Sequence, residues 1–194
     1  MMKRANDWET TRAAQGGEVE RLSLGGHVCK ILSARVEAPN GHEQLVIAFD
    51  VDEGTEYDGI FRRQYDQFSG TNSKWPNGGT FRQFTRDYND PNKTNPYFKG
   101  FIKAVIDSNP NYVWDWNERS LTGKYIGFVF GEEEYLNNNN EKRTAVKARF
   151  CCAAADAPEK EAPKLKELRQ SGGTTATATQ GNGFTQVDDD ELPF

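Results

Sequence analysis

The alternation of apolar and polar residues changes its period along the chain, and each change marks a predicted element. From Gly25 to Glu37 the side chains alternate as in a half-buried strand, and the turn residues Pro39–Gly41 follow. Gln44–Val51 is a nearly continuous apolar run and predicts a second strand. After a turn at 52–55, residues 57–65 predict a third strand. Short turns join these three strands, so the pattern predicts a meander.

The period becomes helical between Tyr97 and Ser108, where apolar residues recur at a spacing of three and four. Asn109-Pro110 ends this predicted helix. Residues 124–135 and 141–152 then predict a fourth and a fifth strand, joined by a hairpin loop of asparagines. A mainly β chain in this order is typical of a five-stranded OB-fold-like barrel with one helix between strands 3 and 4.

Composition divides the chain into four segments. Residues 1–24 are polar and predict an N-terminal arm, and residues 25–152 hold the OB-fold-like domain. Residues 153–187 predict a flexible linker, because the low-complexity run 171–183 cannot bury enough apolar surface to order itself. Residues 188–194 form an acidic tip, so the chain is expected to end in a disordered acidic tail.

Charge, hydropathy and cysteine content argue against a membrane, secreted or metal-binding protein. The formal net charge is -5, but the negative balance lies mostly after residue 152, so the central body can hold a basic groove. No apolar run approaches the length of a membrane span, and the N-terminus lacks a secretory pattern. The three cysteines are odd in number and two are adjacent, which favours free thiols in a cytoplasm. We expect no metal or cofactor: Cys151 and Cys152 would point to opposite faces of a strand, so they cannot both join His27 and Cys29 around one ion.

The stretch 61–88 combines seven aromatic residues with five basic residues and only two acids. Aromatic rings stack on bases and cations meet phosphates, which is what a sequence-tolerant single-strand binder needs. Any one ring can equally belong to the core, but Trp75 follows Lys74 in a loop rich in glycine and asparagine and is the best stacking candidate. On the fifth predicted strand, two cations share a face. The candidate DNA-binding residues are Arg62, Arg63, Tyr65, Lys74, Trp75, Phe81, Arg82, Phe84, Arg86, Lys147 and Arg149.

The acidic tip combines charges that stay solvated with an apolar end that can anchor in a pocket. Its sequence, Asp-Asp-Asp-Glu-Leu-Pro-Phe, resembles the C-terminal tip of bacterial and phage single-stranded DNA-binding proteins. The resemblance covers seven residues and implies an OB-fold body, a flexible linker and a tip that recruits replication, recombination and repair proteins. It implies a phage or prophage protein that coats and protects single-stranded DNA, can form homo-oligomers and is not an enzyme. The partner-binding tip is Asp188, Asp189, Asp190, Glu191, Leu192, Pro193 and Phe194.

Three alternatives remain at this point. The body could be a protein-interaction adaptor without affinity for DNA. A metal-dependent nuclease could use Asp50, Asp52 and Glu53, or Glu132–Glu134, although these acids lie at predicted strand ends and turns without a recognisable metal-site pattern. The tip could also occupy the basic groove until DNA displaces it, because tip and groove carry opposite charge.

Overall fold

The computed structural model describes residues 3, 4, 6, 20–67 and 74–168. The predicted acidic tip, and the linker from residue 169 onward, lie outside them. The described residues form five strands and two α-helices: β1 (Gly25–Glu37), β2 (Gln44–Val51), α1 (Ile60–Gln67), β3 (Thr80–Phe84), α2 (Pro96–Ser108), β4 (Tyr125–Leu136) and β5 (Lys142–Cys152). Short 3-10 helices lie at Pro39–Gly41, Asn77–Gly79, Glu118–Leu121 and Ala154–Glu159. Neither α-helix is long and apolar enough to cross a membrane, and no other described residues form such a helix.

All five strands belong to one antiparallel sheet with the order β3-β2-β1-β4-β5. The mainly β class, the five strands and the helix between the third and fourth strands are therefore confirmed. β3 and β5 form the two edges, and no ladder joins them among the described residues. The sheet does curl toward closure, because a Cβ on Gly78, just before β3, would lie 3.5 Å from the carbonyl oxygen of Val146 in β5. A closed barrel remains a prediction.

The predicted third strand at 57–65 is wrong, since this segment contains α1 and the third strand is Thr80–Phe84. The cause is a contact that local patterning does not show. Asp50, at the end of β2, accepts hydrogen bonds from the backbone N–H groups of Phe61 and Arg62, both at 2.9 Å. A carboxylate in this position satisfies donors that a helix N-terminus leaves unpaired, so α1 can begin here.

The hydrophobic core lies between one face of the sheet and the two helices. Phe49 of β2 and Phe128 of β4 pack at a ring-centroid distance of 4.4 Å, and Phe61 of α1 contacts Phe49 at 5.7 Å. Helix α2 contributes Phe101 to the same core, where its side chain is fully buried. Leu22 also belongs to this core, so this residue of the predicted arm 1–24 packs with the body.

Residues 153–168 cross the outer face of the sheet, and we call this segment the C-terminal strap. The backbone of Gly26 donates a hydrogen bond to Lys160, and Lys166 bonds to the backbone of β4 on both sides of Glu133. The first part of the predicted flexible linker is therefore a packed part of the body. Glycines allow this close approach: a Cβ at Gly131 would lie 2.5 Å from Pro163, and one at Gly26 would overlap the backbone of Ala157.

Candidate nucleic-acid interface

Helix α1 presents an aromatic and a basic side chain on the surface because Asp50 fixes its first turn. Besides the two bonds to α1, Asp50 accepts a bond from the N–H of Val51 at 3.0 Å. Burial raises the pKa of Asp50, and the three backbone hydrogen bonds act in the opposite direction. The carboxylate of Asp50 thus has a structural role at the N-terminus of the helix that carries Arg62 and Tyr65.

Arg62, Tyr65 and Trp75 come together in what we call the α1 cluster. The guanidinium of Arg62 lies 5.2 Å from the centroid of the Trp75 ring and 5.9 Å from that of Tyr65. The two rings are 5.7 Å apart, inclined by 35°. Arg62 itself is exposed, and so is Lys74, next to the cluster. The arrangement offers aromatic surface and positive charge at one place, as base stacking and phosphate contact require.

Trp75 is more firmly packed than its sequence context predicts. Its indole Nε1 donates a hydrogen bond to the carbonyl of Gly79 at 2.9 Å, and the ring packs against the core cluster while remaining partly exposed. A Cβ on Gly79 would lie 2.6 Å from this nitrogen, so the glycine gives the ring its place. Part of the Trp75 ring therefore serves as core, and only its exposed part is available for stacking.

Arg63, adjacent to Arg62, makes its contacts within the protein. It forms a forked ion pair with Glu20, with Nε–Oε2 and Nη2–Oε1 distances of 2.9 and 2.8 Å. The same guanidinium donates to the carbonyl oxygens of Glu56 and Asp58. Glu20 neutralises its charge, so the structure gives no support to the predicted DNA contact at Arg63.

Strand β3 divides its predicted site residues between two faces. Phe81 points inward, stacking on Phe101 at 5.8 Å and lying 5.0 Å from Phe128. Phe81 is therefore part of the core, which corrects its assignment as a DNA contact. Arg82 and Phe84 lie on the opposite face, because successive side chains of a strand alternate, and Arg82 is exposed.

A second aromatic group lies where β3 ends and includes residues that the sequence did not single out. His42, from the loop between β1 and β2, stacks on Tyr88 at 4.4 Å with an interplanar angle of 19°. Phe84 meets both rings edge-on, at 6.3 and 6.4 Å, and the exposed Arg86 lines the same shallow depression. The structure thus brings Phe84 and Arg86 together. Tyr88 is the last residue of the aromatic and basic stretch 61–88, so the sequence indicated its region. No sequence pattern indicated that His42 would join it.

Lys147 and Arg149 share the strap side of β5, as their spacing predicts, but that side is not an open groove. Lys147 Nζ lies 3.9 Å from Glu133, which also binds Lys166 of the strap at 2.6 Å. Nη1 of Arg149 is buried without a hydrogen-bond partner among the described residues. Packing against the strap therefore limits access to both cations.

The other basic residues of the β4–β5 hairpin are paired within it. Lys142 forms an ion pair with Glu134 across the hairpin at 2.7 Å, whereas Arg143 pairs with Glu141 at 2.7 Å. Because both are paired with carboxylates of the hairpin, neither residue is a free cation for a ligand.

The segment between α2 and β4 adds two tryptophans to the same end of the molecule as His42 and Arg86. Trp114 packs against the core, and its Nε1 is buried without an acceptor among the described residues. Trp116 lies 6.1 Å from Trp114 and keeps 71% of its surface exposed. Trp114 therefore anchors this segment to the core, whereas Trp116 presents its ring to solvent.

The comparisons with known proteins add no assignment to this geometry: neither a protein-family model nor a curated protein matches the chain. The class that the described residues define is a five-stranded antiparallel β protein with an aromatic and basic surface along one edge strand.

Proposed function

We propose that this protein binds single-stranded DNA without sequence preference, coating and protecting it during replication, recombination or repair. The α1 cluster carries this proposal, because Arg62 lies over two aromatic rings at a surface that also exposes Lys74. Arg82 and Arg86 extend positive charge along β3. Stacking on a ring contributes about 1–3 kcal/mol per base and does not depend on the base.

The proposed contact surface is narrower than the list of candidates from the sequence. It comprises Arg62, Tyr65, Lys74, the exposed part of Trp75, Arg82, Phe84 and Arg86. Phe81 is omitted because it is core, and Arg63 because Glu20 neutralises it. Lys147 and Arg149 are omitted because the strap packs beside them.

Of the acids considered for a nuclease, Asp50, Asp52 and Glu53 each have a structural partner in the protein. Asp50 binds the start of α1. Asp52 accepts a hydrogen bond from the Tyr125 hydroxyl at 3.1 Å, and Glu53 binds His27 at 2.9 Å. Among the described residues, no group of three or more His, Cys, Asp or Glu side chains is arranged to hold a metal ion. These observations favour a binding role over the nuclease alternative.

The tip would recruit partner proteins, and this part of the proposal rests on the resemblance of Asp188–Phe194 alone. We expect a phage or prophage protein in the bacterial host cell, whose DNA-bound body presents the tip to replication and recombination enzymes. A variant that lacks the tip should still bind single strands and should fail to retain those enzymes. If the deletion also leaves the salt dependence of DNA binding unchanged, the tip does not compete for the groove.

A titration of the full chain with labelled oligo-dT, with duplex as a control, tests the DNA-binding proposal. We expect tight binding of the single strand, weak binding of duplex, and a steep loss of affinity as salt rises, because phosphate contacts release counterions. Intrinsic tryptophan fluorescence should be quenched in the same titration, since stacking brings bases onto indole rings.

A pair of variants with matched charge locates the surface. Replacing either Lys74 or Arg82 by alanine removes one positive charge and should lower the slope of affinity against salt by about 0.7, the effect of one lost phosphate contact. The control replaces Lys103 by alanine, an exposed residue of α2 that pairs with Asp107, and should leave the slope unchanged. An absence of oligonucleotide binding at low salt would refute the proposal and favour a protein-interaction adaptor.

A further inference from the structure

Trp116 is held in an exposed position that has a conformational cost. Its backbone is left-handed, with φ at 64°, a region that costs a non-glycine residue about 1–2 kcal/mol. A turn fixes this conformation: Asp115 accepts hydrogen bonds from the N–H of Asn117 at 3.1 Å and from the hydroxyl of Ser120 at 2.9 Å. A strained backbone that presents a large apolar ring to solvent favours a function in binding over one in stability.

Beside this ring lies a cleft of about 270 Å³, which we call the Trp116 cleft. Its walls include both tryptophans, Phe98 of α2 and the end of β3 with Thr85 and Arg86. Pockets for drug-sized ligands have volumes of about 300–1,000 Å³, so this cleft suits a smaller flat group such as one base. Arg86 also lines the depression formed by His42, Phe84 and Tyr88, so the cleft continues the proposed DNA surface.

The polar groups of the Trp116 cleft favour a ligand that donates hydrogen bonds. Glu43 lines it, and its Oε1 accepts a hydrogen bond from the hydroxyl of Thr85, which fixes the carboxylate in place. Glu118 is a second carboxylate on the wall. Ionised carboxylates only accept hydrogen bonds, so they favour a ligand edge that donates. Cytosine, adenine and guanine each carry an exocyclic amino group, whereas thymine presents a carbonyl oxygen where cytosine has its amino group.

We propose that the Trp116 cleft binds one amino-bearing base of the bound single strand, stacked on Trp116 with its amino group donating to Glu43. This inference rests on the proposed function, to which it adds a base preference at one position. The phosphate beside this base would lie toward Arg86, outside the acidic wall.

The test measures anisotropy of labelled oligo-dC and oligo-dT of equal length with the full chain. Trp116→Gly removes the ring and relieves the left-handed strain, so the fold should be retained, which a thermal melt checks. We expect this variant to lose roughly tenfold in affinity for oligo-dC, the effect of one stacked base. Val113→Ala is the matched control, because Val113 is 78% exposed in the same segment and does not line the cleft.

Glu43→Gln tests the selectivity. The glutamine can keep an oxygen for Thr85 while presenting an amide donor, so the ratio of oligo-dC to oligo-dT affinity should fall about fivefold. Because the ratio is compared between variants, general effects of charge and strand flexibility cancel. An unchanged ratio, or equal losses for Trp116→Gly and Val113→Ala, would overturn the inference while leaving DNA binding intact. Failure of the wild type to bind either strand would overturn the proposed function as well.

Discussion

Arg62 and Arg63 are neighbours with the same charge, and the structure predicts opposite consequences for their removal. Arg62 is exposed over the rings of Tyr65 and Trp75. Arg63 is tied to Glu20 and to two carbonyl groups. Arg62→Ala should therefore weaken DNA binding without unfolding the protein, and Arg63→Ala should weaken the fold without a specific effect on DNA.

The contacts set the expected magnitudes. Loss of the Arg62 guanidinium removes a cation–π interaction and one phosphate contact, so affinity should fall about fivefold at low salt and the salt slope by about 0.7. The Arg63–Glu20 pair is 37% and 33% exposed, and solvent screens it. We therefore assign about 1 kcal/mol to the Arg63 contacts, which corresponds to a fall of about 2–4 °C in melting temperature.

Two assays separate these effects. Anisotropy titrations with oligo-dT at several salt concentrations report the affinity and its slope, and thermal unfolding followed by circular dichroism reports stability. Each variant is the charge-matched control of the other. The reasoning is refuted if Arg63→Ala lowers the salt slope as much as Arg62→Ala does, or if Arg62→Ala is the more destabilising variant.

Three further predictions concern the body. Gly26→Ala should destabilise the fold by about 1–3 kcal/mol in urea unfolding because its Cβ overlaps the strap backbone, whereas Gly100→Ala, an exposed helix position with open space, should stabilise it. Burial raises the pKa of Glu133, but the Lys166 hydrogen bond and the positive charges of Lys147, Lys166 and Arg149 together outweigh it, so the net pKa is lowered. Stability from this carboxylate should therefore be present at neutral pH and lost in acid, and Glu133→Gln should flatten that acid dependence. Burial raises the pKa of Cys151 to about 11, so a thiol reagent near neutral pH should modify it far more slowly in the native protein than in urea, and equal rates would contradict this.

Local periodicity predicted four of the strands and the helix before β4, because these elements bury one regular face. The predicted bounds of β2 agree with the structure, and those of β4 differ by one residue at each end. Periodicity failed at α1, whose start depends on Asp50 in a different element. The same failure misplaced the third strand, since only the ladder with β2 identifies Thr80–Phe84 as its true position.

The candidate site was predictable as a region and not as a set of contacts. The aromatic and basic stretch does contain the α1 cluster, but sequence could not separate Arg62 from Arg63 because Glu20 lies far away in the chain. It could not orient Phe81 without the register of β3. The sequence does not show that the backbone of Trp116 is left-handed or that a cleft lies beside its ring. Both depend on the turn around Asp115.

The strap also covers a part of β4 that could otherwise pair with a second molecule. The ladder between β1 and β4 ends where Gly25 pairs with Phe130, whereas β4 continues to Leu136. On the β1 side, the backbone of this last part of β4 could pair with a strand of another molecule. Lys166 occupies this position, bonding to the carbonyl of Glu132 at 3.0 Å and to the N–H of Glu134 at 2.9 Å. A body shortened to end at Cys152 would retain all five strands and expose this edge. We expect it to aggregate at concentrations where a body ending at Leu168 stays dispersed.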